Sequence, residues 1–349
     1  MNTKTFSYIG LAAALAVAPT GGHAALSYLD TSIDGEGVLV FGTPIGVING
    51  WTSDADSKTA AFLDLNTALN ATSVYTAPGG TTLQNGDILS FTDTGSATVN
   101  VLNDGAGDLA QSTSSLEGFG TTTWNLEISY SISGIAQASI GADIDTTLLA
   151  NGATFAAGEG LLPAFQSGTI DIFYNEVSGF SPLAGVIDDG QQVLQLILTP
   201  GAVLGATNLE LFGTVDFSWF DADMDGAADA GLLLTAAEEA AIKNLFNFVS
   251  PVGGKNSYYD IWLDGVTSLP PVANVFWDLN TNVEPNLIPL AGGNTGSLAN
   301  PGCAAGKLCR TTNLNLDVEF SPVPEPSSVA LLGLGLLGLG ASVRRKRQA

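Results

Sequence analysis

Thr123-Trp124-Asn125-Leu126-Glu127-Ile128-Ser129-Tyr130-Ser131-Ile132 alternates polar and apolar side chains without a slip. Successive side chains of a strand point to opposite faces, so this register puts Trp124, Leu126, Ile128, Tyr130 and Ile132 on a buried face and leaves their neighbours in water. The same period recurs in Leu314, Leu316, Val318 and Phe320, which alternate with Asn313, Asn315, Asp317 and Glu319. It recurs again in Leu209, Leu211, Val215, Phe217 and Trp219, which keep step through Gly213, a bulge or bend in the reading. One wet and one dry face is the habit of antiparallel sheets. Shorter candidate strands are Val38–Phe41, Ile88–Phe91, Thr98–Leu102, Thr169–Tyr174, Val193–Leu198, Tyr258–Leu263 and Val275–Leu279. Turn sequences such as Asn85-Gly86-Asp87, Asn103-Asp104-Gly105 and Asp188-Asp189-Gly190 separate them. The expectation is an all-β chain, an antiparallel β-sandwich or jelly-roll-like fold. A β-solenoid would need a fixed repeat period, and the sequence has none.

Two segments depart from this pattern. Residues 57–71 place Phe62, Leu65 and Leu69 at helical spacing, with Asp56 or Ser57 as cap, and predict a short helix. Residues 235–249 open with the capping box Thr235-Ala236-Ala237-Glu238 and carry Ile242, Leu245, Phe246 and Val249 as an apolar stripe, with Pro251 as terminator. No break in composition divides residues 25–322, which read as one β domain or two packed ones.

The two ends read as addresses. Residues 1–24 have Lys4 in a short basic region, an apolar stretch from Tyr8 to Ala18, and small residues before a cleavage point after Ala24, the plan of a secretory signal peptide. At the other end, Val323-Pro324-Glu325-Pro326 precedes fifteen small or apolar residues, 329–343, a short transmembrane helix followed by Arg344-Arg345-Lys346-Arg347. At 1.5 Å per residue that run covers only about 22 Å of a ~30 Å hydrocarbon core, and the basic cluster favours the cytoplasmic side. Residues 323–349 resemble the PEP-CTERM sorting signal, with Pro324, Glu325, Pro326, Arg344 and Arg345 in the motif positions. The resemblance implies processing by an exosortase, a membrane cysteine protease, after transient anchoring in the inner membrane. It also implies a Gram-negative host that makes extracellular polysaccharide, biofilm or floc, and a secreted or surface destination.

Composition then limits the chemistry. The whole chain has a net charge of −24 and only 13 % charged residues, about half the usual ~25 %. Trimming both ends leaves 33 acids against Lys58, Lys243, Lys255, Lys307 and Arg310, a net of −28. A body of that charge repels nucleic-acid phosphates and calls for cations as counterions. The only histidine, His23, goes with the leader. Ser-His-Asp and Cys-His hydrolases, His-ligated zinc and a His general base are thereby excluded. No phosphate-binding loop motif is present. A glycosidase working with two carboxylates survives, though no spacing singles out a pair. Cys303 and Cys309 read as one structural disulfide of an exported chain, a small loop contributing about 2 kcal/mol.

One constellation carries chemistry. Asp221-Ala222-Asp223-Met224-Asp225-Gly226 repeats the first half of an EF-hand-like loop, with carboxylates at positions 1, 3 and 5, a glycine at 6 and Asp229 at 9. Position 12 is Leu232 where the bidentate carboxylate belongs, so the expectation borrows Glu238 or Glu239 from the helix start as the last calcium ligand. The run Asp278-Leu279-Asn280-Thr281-Asn282-Val283-Glu284 reads as an exposed strand face. Of the five tryptophans, Trp51 and Trp277 are the candidate sugar-stacking platforms, while Trp124 and Trp219 read as core. The functional expectation is a non-enzymatic surface or matrix protein that holds structural calcium and associates with extracellular polysaccharide. The alternatives are a secreted polysaccharide-active enzyme and a glycan-binding module.

Overall fold

The computed structural model describes residues 27–30, 59–62, 64–76, 82–99, 101–103, 119–120, 123–145, 160–177, 186–200, 203–204, 209–252, 254–267, 274–282 and 307–322. In chain order the first strands are β1 (Ser27–Asp30), β2 (Thr59–Phe62), β3 (Asp64–Thr76), β4 (Thr82–Leu83), β5 (Ile88–Val99) and β6 (Val101–Asn103). Then come β7 (Trp124–Ser139), β8 (Ile144–Asp145), β9 (Gly160–Glu176), β10 (Gln192–Leu198), β11 (Val203–Leu204) and β12 (Leu209–Asp216). Helix α1 (Ala236–Asn244) leads to β13 (Phe246–Val252), β14 (Lys255–Ser257), α2 (Tyr258–Thr267), β15 (Val275–Asn282) and β16 (Lys307–Pro322).

The main sheet runs β10-β9-β7-β5-β3-β16-β15-β12, every pair antiparallel, and β12 also pairs with β10. The sheet therefore closes on itself as an eight-stranded barrel whose strands follow one another in chain order, with β16 returning to β3. The layers expected of a sandwich are here the opposite walls of one curled sheet. Its ladders are staggered. Val74 pairs Thr92, which pairs Ser133, which pairs Ser167. Ile197 pairs Thr169, which sets Thr199 level with Ser167, and the Thr199 amide bonds to Phe212 O. Phe212 pairs Asp278, which pairs Glu319, which pairs Asp64. The circuit leaves β3 at Val74 and returns about ten residues away, the stagger that tilts strands in a closed barrel.

Alternation fills the interior. On β5, Leu89, Phe91, Asp93, Ala97 and Val99 are buried between exposed Ser90, Thr92, Thr94, Ser96 and Thr98. On β7, Leu126, Ile128, Tyr130, Ile132, Ala136 and Ala138 are buried in the same rhythm. A register shift at Ser133/Gly134 brings Gly134 opposite Phe165. A Cβ there would lie 2.9 Å from the Phe91 ring and 2.2 Å from Ala164 O, so the bare backbone leaves room for the edge-to-face Phe91–Phe165 pair. Asp93 lies on the buried face of β5 and accepts hydrogen bonds from Tyr130 OH (2.8 Å) and Ser73 Oγ (3.0 Å). Burial, then the charge of Asp93, pushes the Tyr130 phenol far above its ordinary value.

Gly213 sits where the barrel closes. It pairs with Leu198 of β10 on one side and Trp277 of β15 on the other, in unbroken register, so it is a close approach rather than the bulge expected. A Cβ at this position would come within 1.7 Å of Ile197 O and 2.7 Å of the Trp277 indole nitrogen. With no Cβ in the way, that indole N–H donates to both Ile197 O and Thr214 O, 3.2 Å each. Trp277 is fully buried by this arrangement, which corrects its reading as a sugar platform. Trp51, the other platform candidate, lies outside the described residues.

A cap covers one end of the barrel. It consists of α1, α2 and a small antiparallel sheet in the order β14-β13-β1-β2. Aromatic rings join it to the barrel: Phe320 of β16 meets Tyr258 at 5.3 Å, and Phe217 meets Tyr259 edge-on at 5.4 Å. At the opposite end β4 pairs with β8.

Three local expectations change. The helix expected over 57–71 is instead β2 and β3. Leu65, Thr67, Ala71, Ser73 and Tyr75 share a buried face at period 2, which the inward Thr67 and Ser73 disguise as polar positions. The segment Tyr258–Leu263 is helical, because Tyr258, Ile261, Trp262 and Gly265 form the buried stripe. The helix expected over 235–249 ends at Asn244, since Phe248 and Phe246 leave it to pair with Ser27 and Leu29. The strand expected at Val38–Phe41 and the leader at 1–24 lie outside the described residues.

Gly213→Ala forces a side chain into the closing seam and should lower stability by about 1–3 kcal/mol. Urea denaturation followed by circular dichroism measures this, and an unchanged midpoint would show that the seam yields freely.

Candidate functional site

The aspartate loop begins where β12 runs out. Phe217 O accepts from the Phe220 and Asp221 amides (2.8 and 2.9 Å), a tight turn that drops Asp221 into the cap. Asp221 is wholly buried. Its Oδ1 accepts from the Asp225 amide (3.1 Å), and its Oδ2 from the Gly226 amide (3.1 Å) and Tyr259 OH (2.6 Å). Burial, then the hydrogen bond to Asp221, raises the Tyr259 phenol well above its ordinary value, which keeps it a donor. The chain folds back through left-handed Met224 (φ 58°) and Gly226 (φ 92°). As a result the carboxylate oxygens of Asp221, Asp223 and Asp225 lie within 4.8 Å of one another, the first buried and the other two exposed. At that separation each pair of full charges repels by about 1 kcal/mol even at the dielectric of water.

The ends of the loop are tied. Asp229 Oδ2 accepts from the Ala222 amide (3.1 Å), while the Asp229 amide donates to Phe220 O (2.8 Å). Lys243 of α1 supplies the nearby positive charge. Its Nζ donates to Gly226 O (2.6 Å), pairs with Glu239 (2.5 Å) and lies 4.9 Å from the Tyr259 ring centre. Tyr259 and Lys243 escape a sequence reading, because each reaches the loop from a separate element with no fixed spacing.

The structure brings together Asp221, Asp223 and Asp225 and uses Asp229 to close the loop. Glu238 faces elsewhere: its carboxylate accepts from the Thr235 amide (2.5 Å), and Thr235 Oγ1 accepts from the Glu238 amide (3.2 Å), completing the capping box. The hydrogen bond from the Thr235 backbone amide, and after it the Thr235 side chain, stabilise the ionised form and hold the Glu238 carboxyl below its usual value. Leu232, at position 12, packs against the core. Among the described residues the oxygen cluster is thus the carboxylates of Asp221, Asp223 and Asp225, hard donors of the kind calcium takes. Cys303 lies outside the described residues, and of Cys309 the structure gives the backbone, in β16 opposite Val74. The segment from Asp278 to Asn282 is strand.

β16 ends at Pro322, paired with Val275, and residues 322–346 match the model of the PEP-CTERM protein-sorting motif. The chain thus carries a PEP-CTERM protein-sorting signal at residues 322–346. That signal directs export and exosortase processing, to the cell surface or beyond it. Pro324, Glu325, Pro326, Arg344 and Arg345 fall within the matched residues. Among the described residues no helix is long and apolar enough to cross a membrane; the run 329–343 lies outside them. Comparison with curated proteins and with solved structures finds no match.

Tyr259→Phe leaves one oxygen of a buried carboxylate short of a donor and should cost about 1–3 kcal/mol in urea denaturation. Glu238 gives a pH signature. Its carboxyl is depressed in the folded state, so its contribution is complete at neutral pH and fades as pH falls through the lowered value. The melting-temperature gap between the wild type and Glu238→Ala should therefore be full at pH 7 and close below the ordinary glutamate range. A gap independent of pH would contradict the capping geometry.

Proposed function

We propose that this is a non-enzymatic surface or extracellular-matrix protein, delivered by its sorting signal, that stays among extracellular polysaccharide in biofilm or floc. The observation that carries the reading is the sorting motif beginning on the strand that closes the barrel. Once exosortase removes the tail, what reaches the outside is a rigid, strongly acidic barrel whose interior is filled by its own side chains. A body with a net charge near −28 resists coagulation with itself, and divalent cations link such anions to one another and to acidic glycans.

The aspartate loop is the proposed cation site, with Asp221, Asp223, Asp225 and Asp229 as calcium ligands. Calcium there relieves the repulsion among the three clustered carboxylates and fixes the junction between β12 and the helical cap. Glu238 is left out of this ligand set because the cap at Thr235 holds it. The role is structural, and an affinity in the extracellular range of ~10⁻⁴–10⁻³ M suffices for it.

Two measurements test the reading. Millimolar calcium should raise the melting temperature of the wild type by several degrees, chelator should reverse this, and Asp223→Asn/Asp225→Asn should abolish it. An equal melting temperature with calcium and with chelator removes the cation. Deleting the gene should reduce cell aggregation, with recovery on re-expression of the full chain; unchanged aggregation removes the matrix role.

A further inference from the structure

Pro322 pairs with Val275. The β12–β15 register, which pairs Thr214 with Phe276, sets Val215 level with Val275 when continued by one residue. Val215, Val275 and Pro322 thus form one row across three neighbouring strands. At 4.7–4.9 Å per strand, the aspartate loop leaves the barrel about 10 Å from the point where the sorting motif begins. Phe320, two residues before that point, is buried against Tyr258 of the cap. There is consequently no slack between the folded body and the sorting signal. Six residues, 323–328, separate this row from the apolar run that begins at Val329, and the chain from Pro322 to Val329 spans at most ~25 Å. While the sorting segment is in the membrane, the capped end of the barrel is therefore tethered within about 25 Å of it.

That end carries the apolar exposure. Of the six exposed large hydrophobic residues among those described, Val177, Met224, Leu233 and Val266 belong to it; Ile88 lies at the opposite end and Ile197 on the wall. Leu233 is 88 % exposed and left-handed at φ 54°, although its neighbours Leu232 and Leu234 pack on the core. Met224 is likewise exposed and left-handed, at φ 58°. Two residues further on, Gly226 faces Leu263 of α2, one turn before Val266. Backbones held in this region by non-glycine residues collect at binding and switching sites.

We propose that the capped end is a lipid-contact surface, with Leu233 and Met224 seated in the bilayer interface while the sorting segment anchors the chain. The body's acidity argues for zwitterionic rather than anionic headgroups, since like charges repel at short range. The inference uses the sorting motif and the fold, and it stands whether or not a cation fills the aspartate loop.

The test uses the full chain in phosphatidylcholine vesicles, with Cys303→Ser and Cys309→Ser so that a single label can be placed. An environment-sensitive fluorophore goes on Leu233→Cys, on Met224→Cys, or on Ala142→Cys at the opposite end. Emission from 233 and 224 should shift to the blue and lose at least half its intensity to lipids carrying a shallow nitroxide, while 142 stays unquenched. Circular dichroism confirms the fold of each variant. Equal, solvent-like emission at all three positions would overturn the proposal. So would shielding of 233 that persists in detergent micelles and grows with protein concentration, because the cover would then be a second copy of the chain.

Discussion

The barrel depends on one close approach. Eight strands meet in a ring because β12 can hold β10 on one edge and β15 on the other, and at Gly213 it does both within a single residue. The contact is possible only without a Cβ, and the Trp277 indole then ties Ile197 O and Thr214 O together from inside. Closing the sheet leaves its eight strands no free edge, which matters for an exported chain with long, hydroxyl-rich strands that would otherwise pair with other chains. It also fixes which side chains are inside, because a slip of one residue would turn every apolar side chain of a strand outward.

Closure organises the candidate site as well. β12 delivers the chain to the capped end, and the turn at Phe217 drops Asp221 among aromatic rings instead of into water. A buried carboxylate needs donors, and the loop's own amides with Tyr259 OH supply them. The same bonds that satisfy Asp221 bend the chain so that Asp223 and Asp225 come alongside it. The clustering of negative charge is thus a product of folding, held by a buried anchor and by Lys243 at the loop's rim. The start of the sorting motif and the site share one end of the molecule, since β15 and β16 bring Pro322 to the row where the aspartate loop starts.

Much of this was legible in the letters, and the failures have a common cause. The strands with apolar residues at every second position, such as Trp124–Ser139, were readable because one face of each meets the core. β3 was not: Thr67 and Ser73 face inward, where Thr67 Oγ1 finds Thr98 O and Ser73 finds Asp93, so the period is written in polar residues. α2 was hidden for the opposite reason. Its aromatic residues favour strands, and the helical stripe they form counts only once the cap provides a surface to cover. In the aspartate loop, residues 221, 223, 225 and 229 were identifiable from spacing alone. Tyr259 and Lys243 were not, and Glu238 was read as a calcium ligand although its carboxylate caps the helix at Thr235.

The sequence by itself determined the address at the C-terminus, the antiparallel β character, the capping box at Thr235 and the acidic loop, because each depends on residues close together in the chain. Tertiary structure alone decided that the sheet is a closed barrel and that Trp277 is a seam rather than a platform. It alone placed Tyr259 beside Asp221 and the sorting motif beside the loop. Those four depend on strand register and on contacts between residues tens to hundreds of positions apart, which local pattern does not encode.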